Sequence, residues 1–164
     1  MTVKIGIYPG TFDPLTFGHL DIIKRSLNMV DKLIIGVADN INKKSLLSLD
    51  DRKKLILSDI TTYFETKVDI SVDAISGLLT EYANKNNVTC IIRGLRAVSD
   101  FEYEFQMTGM NYQLSPSLET IFLMSSEKYS FISSNFIKEV HKLGGNVSKF
   151  VSKNTIDILD KKNI

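Results

Sequence analysis

Short runs of consecutive apolar residues alternate along this chain with segments whose apolar residues recur at helical spacing. Val3 to Tyr8 is a β-rich run that ends at Pro9-Gly10, and the segment from Gly18 to Met29 has Leu20, Ile23 and Leu27, then Val30, at helical period. Lys32 to Val37 reads as a second buried strand, followed by a polar, lysine-containing loop over Ala38 to Leu47. Ser48 and the acidic pair Asp50-Asp51 then open a helix carrying Leu55, Ile56 and Ile60, because a capping hydroxyl and early negative charge both suit the free N–H groups of a helix start. The rhythm repeats: a strand over Val68 to Val72, a short helix over Leu78 to Asn84, a strand over Val88 to Ile92, a helix over Asp100 to Leu114, a strand over Thr120 to Met124, and a helix over Ser134 to Leu143 closed by Gly144-Gly145. A last helix is expected over Thr155 to Lys162.

Strands that are apolar at successive positions and joined by helices are buried on both faces. The pattern therefore predicts an α/β fold, a doubly wound parallel sheet of five strands with helices on both faces, as a single domain over residues 1–164. Composition narrows the function without identifying it. The chain has 20 Lys and Arg against 19 Asp and Glu, so nucleic acid and anionic membrane surfaces are not expected partners, and anions must be held by local clusters. Cys90 is the only cysteine, which excludes an internal disulfide framework or a cysteine zinc site; with no signal-peptide pattern or spanning stretch, a cytoplasmic location is expected.

In an open parallel sheet, ligands bind beyond the carboxyl ends of the strands, which directs attention to the loops there. The first strand runs into Tyr8-Pro9-Gly10-Thr11-Phe12-Asp13-Pro14-Leu15-Thr16-Phe17-Gly18-His19, where backbone amides at a helix start and an imidazole suit a phosphate; a plain Pro/Gly turn with a capping His reads equally well. Asn42-Lys43-Lys44 follows the second strand and by itself is an ordinary solvated lysine pair. Arg93-Gly94-Leu95-Arg96 follows the fourth, placing two guanidiniums where a ligand should lie, with ion pairing to Asp100, Glu102 or Glu104 as the alternative. The stretch from Asp100 to Phe105 is expected to be mostly packing. Tyr129 to Asn135 brings hydroxyls and amides to another helix start, where serine capping is the simpler account. His141, later in that helix, has no assigned chemistry.

Taken together, these blocks resemble the bacterial-type phosphopantetheine adenylyltransferase family of coenzyme A biosynthesis, within the nucleotidylyltransferase superfamily. The similarity covers nearly the whole chain: the Tyr8 to His19 block, with Thr16 in place of the first His of the superfamily's HxGH; Arg93 to Val98 with Asp100 to Glu104; and Tyr129 to Ser134. The resemblance implies a Rossmann-like fold, a homohexamer, and transfer of the adenylyl group of ATP to 4'-phosphopantetheine, with Mg2+ accompanying ATP and no protein side chain assigned to the metal. It implies acceptor contacts from Thr11, Lys43, Leu79 and Arg93, with Lys43 and Arg93 serving catalysis as well, and transition-state stabilisation by His19. It assigns ATP to Thr11, Phe12, His19, Gly94, Leu95, Arg96, Glu104, Tyr129, Ser130, Phe131, Ile132, Ser133, Ser134 and Asn135. Tyr129 and Asn135 depart from the family's usual Trp and Ser. A different acceptor, such as nicotinate mononucleotide, a cytidylyltransferase, or a non-catalytic nucleotide-binding module would be the competing functions.

Overall fold

The computed structural model describes residues 3–39, 45–65 and 67–162. The strands are β1 (Ile5–Gly10), β2 (Lys32–Ala38), β3 (Asp69–Ile75), β4 (Cys90–Leu95) and β5 (Glu119–Met124). The helices are α1 (Phe17–Ser26), α2 (Leu49–Tyr63), α3 (Leu79–Lys85), α4 (Val98–Leu114), α5 (Ser134–Lys142) and α6 (Lys153–Lys161), with a 3-10 turn over Glu127–Tyr129. All strand pairings are parallel, in the order β3-β2-β1-β4-β5. The chain thus winds outward from β1 through β2 to β3, then returns to β1's other edge for β4 and β5. That reversal opens a crevice between the carboxyl ends of β1 and β4.

Alternation along each strand divides the core. Tyr8, Leu33, Ile35, Val37, Val72 and Ile92 face one side and pack with Leu20, Ile22 and Ile23 of α1 and Leu55 and Ile56 of α2. Ile7, Ile34, Ile75 and Ile91 face the other side and meet Ala83 of α3 and Leu118. Register brings Ile7 opposite Ile34 on one neighbour and Ile91 on the other. Each such fully buried side chain contributes about 1.5 to 3 kcal/mol of burial. A third cluster of Ile132, Ile137, Val147, Val151 and Leu159 holds α5 and α6 together. Leu159 is fully buried, so the terminal helix is a packed element. This carboxyl-terminal unit is stitched to the first loop, since the Phe17 N–H donates to the Phe150 carbonyl at 2.9 Å.

Several element ends differ from the expectation. β1 extends through Pro9 and Gly10 because the proline's missing N–H costs nothing at a strand end, while its register with Gly36 and Val37 continues. β4 continues through Arg93, Gly94 and Leu95, in register with Phe122, Leu123 and Met124, so Arg93 lies inside the strand. The larger correction concerns α4, expected to be mostly packing. None of its residues is buried, and Val98, Phe101, Tyr103, Phe105, Met107, Met110, Tyr112 and Leu114 are exposed. Its apolar residues leave a face uncovered within the single chain.

Candidate active site

A cleft of about 670 Å³ opens at the carboxyl ends of β1 and β4. Its walls come from the first loop (Thr11, Phe12, Asp13), the start of α1 (Thr16, Gly18, His19), the end of β4 (Arg93, Gly94, Arg96), α4 (Ser99, Asp100, Tyr103, Glu104) and the start of α5 with the turn before it. Residues far apart in sequence converge there because the winding direction reverses between these two strands.

The first loop is shaped by close packing. Phe12 has φ 50, a left-handed conformation uncommon outside glycine, and its ring is buried at 2 % exposure, edge-on to Tyr8 and His19. A Cβ at Gly10 would stand 2.8 Å from that ring, so glycine is what lets the ring fold back over the strand end. The Asp13-Pro14 peptide is cis. The Asp13 carboxylate, 5 % exposed, accepts the N–H groups of Leu46 and Leu47 at 2.8 Å each and pairs with Lys138 Nζ at 3.1 Å. Arg52 of α2, 3 % exposed, braces the same loop: Nη1 donates to the Thr11 carbonyl at 2.8 Å and to the Ala38 carbonyl at the end of β2 at 3.0 Å.

Thr16 and His19 form a reciprocal cap on α1. The His19 N–H donates to Thr16 Oγ1 at 3.4 Å, and the Thr16 N–H donates to His19 Nδ1 at 3.0 Å. Because Nδ1 accepts, the ring proton sits on Nε2. Burial holds the imidazole down to about 4, and the Arg96 guanidinium acts in the same direction. Near neutral pH the residue is a neutral hydrogen-bond donor. The capping and phosphate-facing readings of this histidine are therefore compatible, since one nitrogen serves each.

The cations on the walls are paired. Arg93 makes a two-pronged ion pair with Glu104, its Nε donating to one carboxylate oxygen at 2.7 Å and its Nη2 to the other, while Nη1 donates to the Pro9 carbonyl at 2.8 Å. Arg96 pairs with Asp100 at 3.1 Å and reaches the Ile132 carbonyl at 3.4 Å. The ion-pair alternative thus holds for both arginines, and both still line the cleft. An entering anion meets preoriented guanidiniums whose present partners are carboxylates it can compete with.

Of the residues singled out from sequence, Thr11, Phe12, His19, Arg93, Gly94, Arg96, Glu104, Tyr129, Ile132, Ser133, Ser134 and Asn135 line this cleft. Leu95, Ser130 and Phe131 do not: Leu95 is buried, Ser130 donates to the Glu127 carbonyl at 3.0 Å, and Phe131 packs edge-on to Phe150. Leu79 opens α3 and packs against the Ile7 cluster, away from these walls. Lys43 lies outside the described residues. Ser133 caps α5 through the Phe136 N–H at 3.1 Å, and the Ser134 hydroxyl donates to the Pro14 carbonyl at 2.8 Å, tying α5 to the first loop. His141 pairs with Asp160 at 3.2 Å, outside the cleft. Asp13, Arg52 and Lys138 went unnoticed in sequence. An isolated acid in a turn and single basic residues on helices carry no spacing signal, and only the fold shows what they join.

A family model described as cytidylyltransferase-like matches residues 7–140. Curated relatives include a phosphopantetheine adenylyltransferase of Wolbachia pipientis subsp. Culex pipiens, 55% identical over 92% of this chain and 88% of the relative. Another, from Alkaliphilus oremlandii, is 54% identical over 93% and 94%, and one from Alkaliphilus metalliredigens is 48% identical over 98% and 99%. The chain belongs to the phosphopantetheine adenylyltransferase family. Solved structures carry the same fold at much lower identity. A nicotinic acid mononucleotide adenylyltransferase of Plasmodium falciparum complexed with APC superposes with TM-score 0.70 at 18% identity, covering 99% of this chain and 97% of that one. A bifunctional NMN adenylyltransferase/ADP ribose pyrophosphatase of Francisella tularensis, complexed with AMP and a Mn ion, superposes with TM-score 0.72 at 17% identity over 98% of this chain and 49% of that one. The chain thus shares its fold with adenylyltransferases that differ from it at most positions.

Proposed function

We propose that this protein transfers the adenylyl group of ATP to 4'-phosphopantetheine, forming 3'-dephospho-coenzyme A and pyrophosphate, and that the cleft between β1 and β4 is where it does so. The observation that carries this reading is the high identity to phosphopantetheine adenylyltransferases over nearly all of both chains, together with a cleft whose walls hold most of the motif residues. A phosphate oxygen of the acceptor attacks the α-phosphorus of ATP, a new P–O bond forms, and the bond to pyrophosphate breaks on the opposite side. The protein's work is to hold two anions in line and meet the charge that develops between them. His19, with its proton on Nε2, donates to an α-phosphoryl oxygen as that charge grows. Thr11, Lys43 and Arg93 hold the acceptor phosphate; Leu79, which packs against the Ile7 cluster away from the cleft walls, is assigned to the acceptor arm by the family resemblance alone. Phe12, Gly94, Arg96, Glu104, Tyr129, Ile132, Ser133, Ser134 and Asn135 form the nucleotide side of the cleft, whereas Leu95, Ser130 and Phe131, which do not line it, are assigned to that side by the family resemblance alone.

Mg2+ would accompany ATP and offset phosphate charge there, and no protein side chain is assigned to hold it. Among the described residues no group of three or more His, Cys, Asp or Glu is arranged to hold a metal. The cleft acids Asp13, Asp100 and Glu104 are each paired with a cation. We further place the protein in the cytoplasm as a homohexamer. The uncovered apolar face of α4 supports self-association, since burying it against other copies removes that surface from water. No helix among the described residues is long and apolar enough to cross a membrane.

The deciding assay is pyrophosphate release from ATP with phosphopantetheine, nicotinate mononucleotide or glycerol 3-phosphate as acceptor. Release with phosphopantetheine alone is expected. Faster release with either competitor would reassign the acceptor, and no release with any would leave a nucleotide-binding module.

A further inference from the structure

Tyr8 stands in β1 with its side chain 6 % exposed, beside Gly94 of β4 at the floor of the cleft. A Cβ at Gly94 would lie 3.5 Å from the Tyr8 hydroxyl oxygen and 3.0 Å from Ile22 Cγ1, so the absence of a side chain there makes the room in which the hydroxyl sits. The ring is held edge-on against Phe12, with centroids 5.4 Å apart, and belongs to the main core cluster. Its orientation is therefore set by packing before any ligand arrives. The hydroxyl has no hydrogen-bond partner among the described residues. It is also not sealed in: among the described residues, the side-chain polar atoms both buried from solvent and unpartnered are Arg52 Nε and Thr120 Oγ1.

A nine-tenths buried phenol normally finds a partner for its hydroxyl, because leaving it unpaired costs desolvation. Here the ring is fixed and the polar tip opens into the cleft, where the guanidiniums of Arg93 and Arg96 each act on it more strongly than the carboxylates of Glu104 and Asp21. Burial nevertheless outweighs them and pushes the phenol above its ordinary range, so it keeps its proton and can donate. A ligand group in such a position must accept a hydrogen bond and tolerate neighbouring positive charge. A phosphoryl oxygen meets both conditions best, because it accepts as a neutral base nitrogen or amide oxygen does and also carries the negative charge that guanidiniums attract. We infer that the Tyr8 hydroxyl donates a hydrogen bond to a phosphoryl oxygen of the bound nucleotide. The choice of nucleotide over acceptor rests on the proposed function, which gives Gly94, the residue against the hydroxyl, and Arg96 to ATP.

Tyr8→Phe removes the hydroxyl and keeps the ring. Because that hydroxyl is unpartnered in the free protein, the variant is expected to melt at or slightly above the parent's temperature without ligand. With phosphopantetheine as acceptor, kcat/KM for ATP should fall roughly 10- to 100-fold, the usual effect of losing one hydrogen bond to a charged group. In calorimetric titrations, α,β-methylene-ATP should bind about tenfold or more weakly to the variant, and adenosine, which has no phosphate, equally well to both proteins. Equal weakening of both ligands would place the hydroxyl on the nucleoside and overturn the assignment. So would unchanged kcat/KM, or a loss of melting temperature in the free variant matching the loss of binding, which would mark a structural role. An inactive parent protein would instead refute the adenylyl-transfer reading, and the titrations would still decide the contact.

Discussion

The Thr16 N–H points at Nδ1 of His19 from 3.0 Å, and that one contact settles which imidazole nitrogen can serve a ligand. A helix cap thereby becomes an orienting device, because the turn that starts α1 fixes both the ring and its tautomer. Replacing His19 with Ala should leave ATP binding largely intact and lower turnover roughly 100- to 1,000-fold, the range for losing one donor to a transition-state oxyanion. His19→Gln should recover part of that loss if its amide N–H reaches the same oxygen. Steady-state turnover of both variants measures this, and values within a few-fold of the parent would remove His19 from the chemistry.

The same histidine links stability to pH. In the unfolded chain it titrates near 6.5, whereas in the folded protein burial lowers it to about 4, so between those values only the unfolded state takes the proton. Its contribution is therefore complete above about pH 6.5 and is lost as pH falls toward about 4, with a slope of at most about 1.4 kcal/mol per pH unit. Denaturant titrations of the parent and His19→Gln across this window should show their stability difference changing by that slope. The comparison between variants cancels the buried Asp59, whose carboxyl is raised by burial and acts in the opposite direction.

Arg93 is held by Glu104 and by the Pro9 carbonyl before any ligand binds, so its guanidinium is preoriented and its charge already matched. Arg93→Met keeps much of the stem and deletes the charge. Phosphopantetheine should then bind about 1.5 to 3 kcal/mol more weakly, and pantetheine, which lacks the phosphate, nearly as before. Glu104 is left in the wall without its cation in this variant, which adds repulsion of the same sign. The double variant Arg93→Met/Glu104→Gln should accordingly regain some phosphopantetheine affinity. Calorimetry with both ligands at fixed salt tests this, and equal weakening of both would make Arg93 a support for the pocket's shape.

The winding of this fold was readable in the sequence because runs of successive apolar residues and period-3.6 apolar patterns report burial directly, as Leu33-Ile34-Ile35 and the spacing of Leu20 and Ile23 illustrate. Strand ends were less readable. Arg93 and Pro9 look like loop residues by type, yet register with neighbouring strands continues through both. The aromatic stretch of α4 misled for a physical reason: apolar type signals burial somewhere, and a single chain does not say whether the cover is its own. Motif residues such as His19 and Arg96 were found through their blocks, whereas the pairing of Asp13, itself inside the first block, with Lys138 across most of the chain's length left no local trace.

Arg52 provides the last test, because it joins the ends of two strands with one nitrogen. Its guanidinium is buried, no ion pair joins it to a carboxylate among the described residues, and Nε has no partner, so its place is justified by the carbonyls of Thr11 and Ala38 that it holds. Arg52→Met should destabilise the protein by about 1 to 3 kcal/mol: two charge-assisted bonds are lost, while relief of the buried charge offsets part of that loss. Arg52→Lys keeps the charge but presents a compact ammonium in place of a planar fork, so it should restore little. The kinetic signature distinguishes bracing of the first loop from general destabilisation. If Arg52 positions Thr11, both variants should raise the acceptor KM several-fold at temperatures well below their melting midpoints, with the ATP KM moving less. Urea titration supplies the stability change and steady-state kinetics the split, and KM values that match the parent in a destabilised variant would confine Arg52 to the fold.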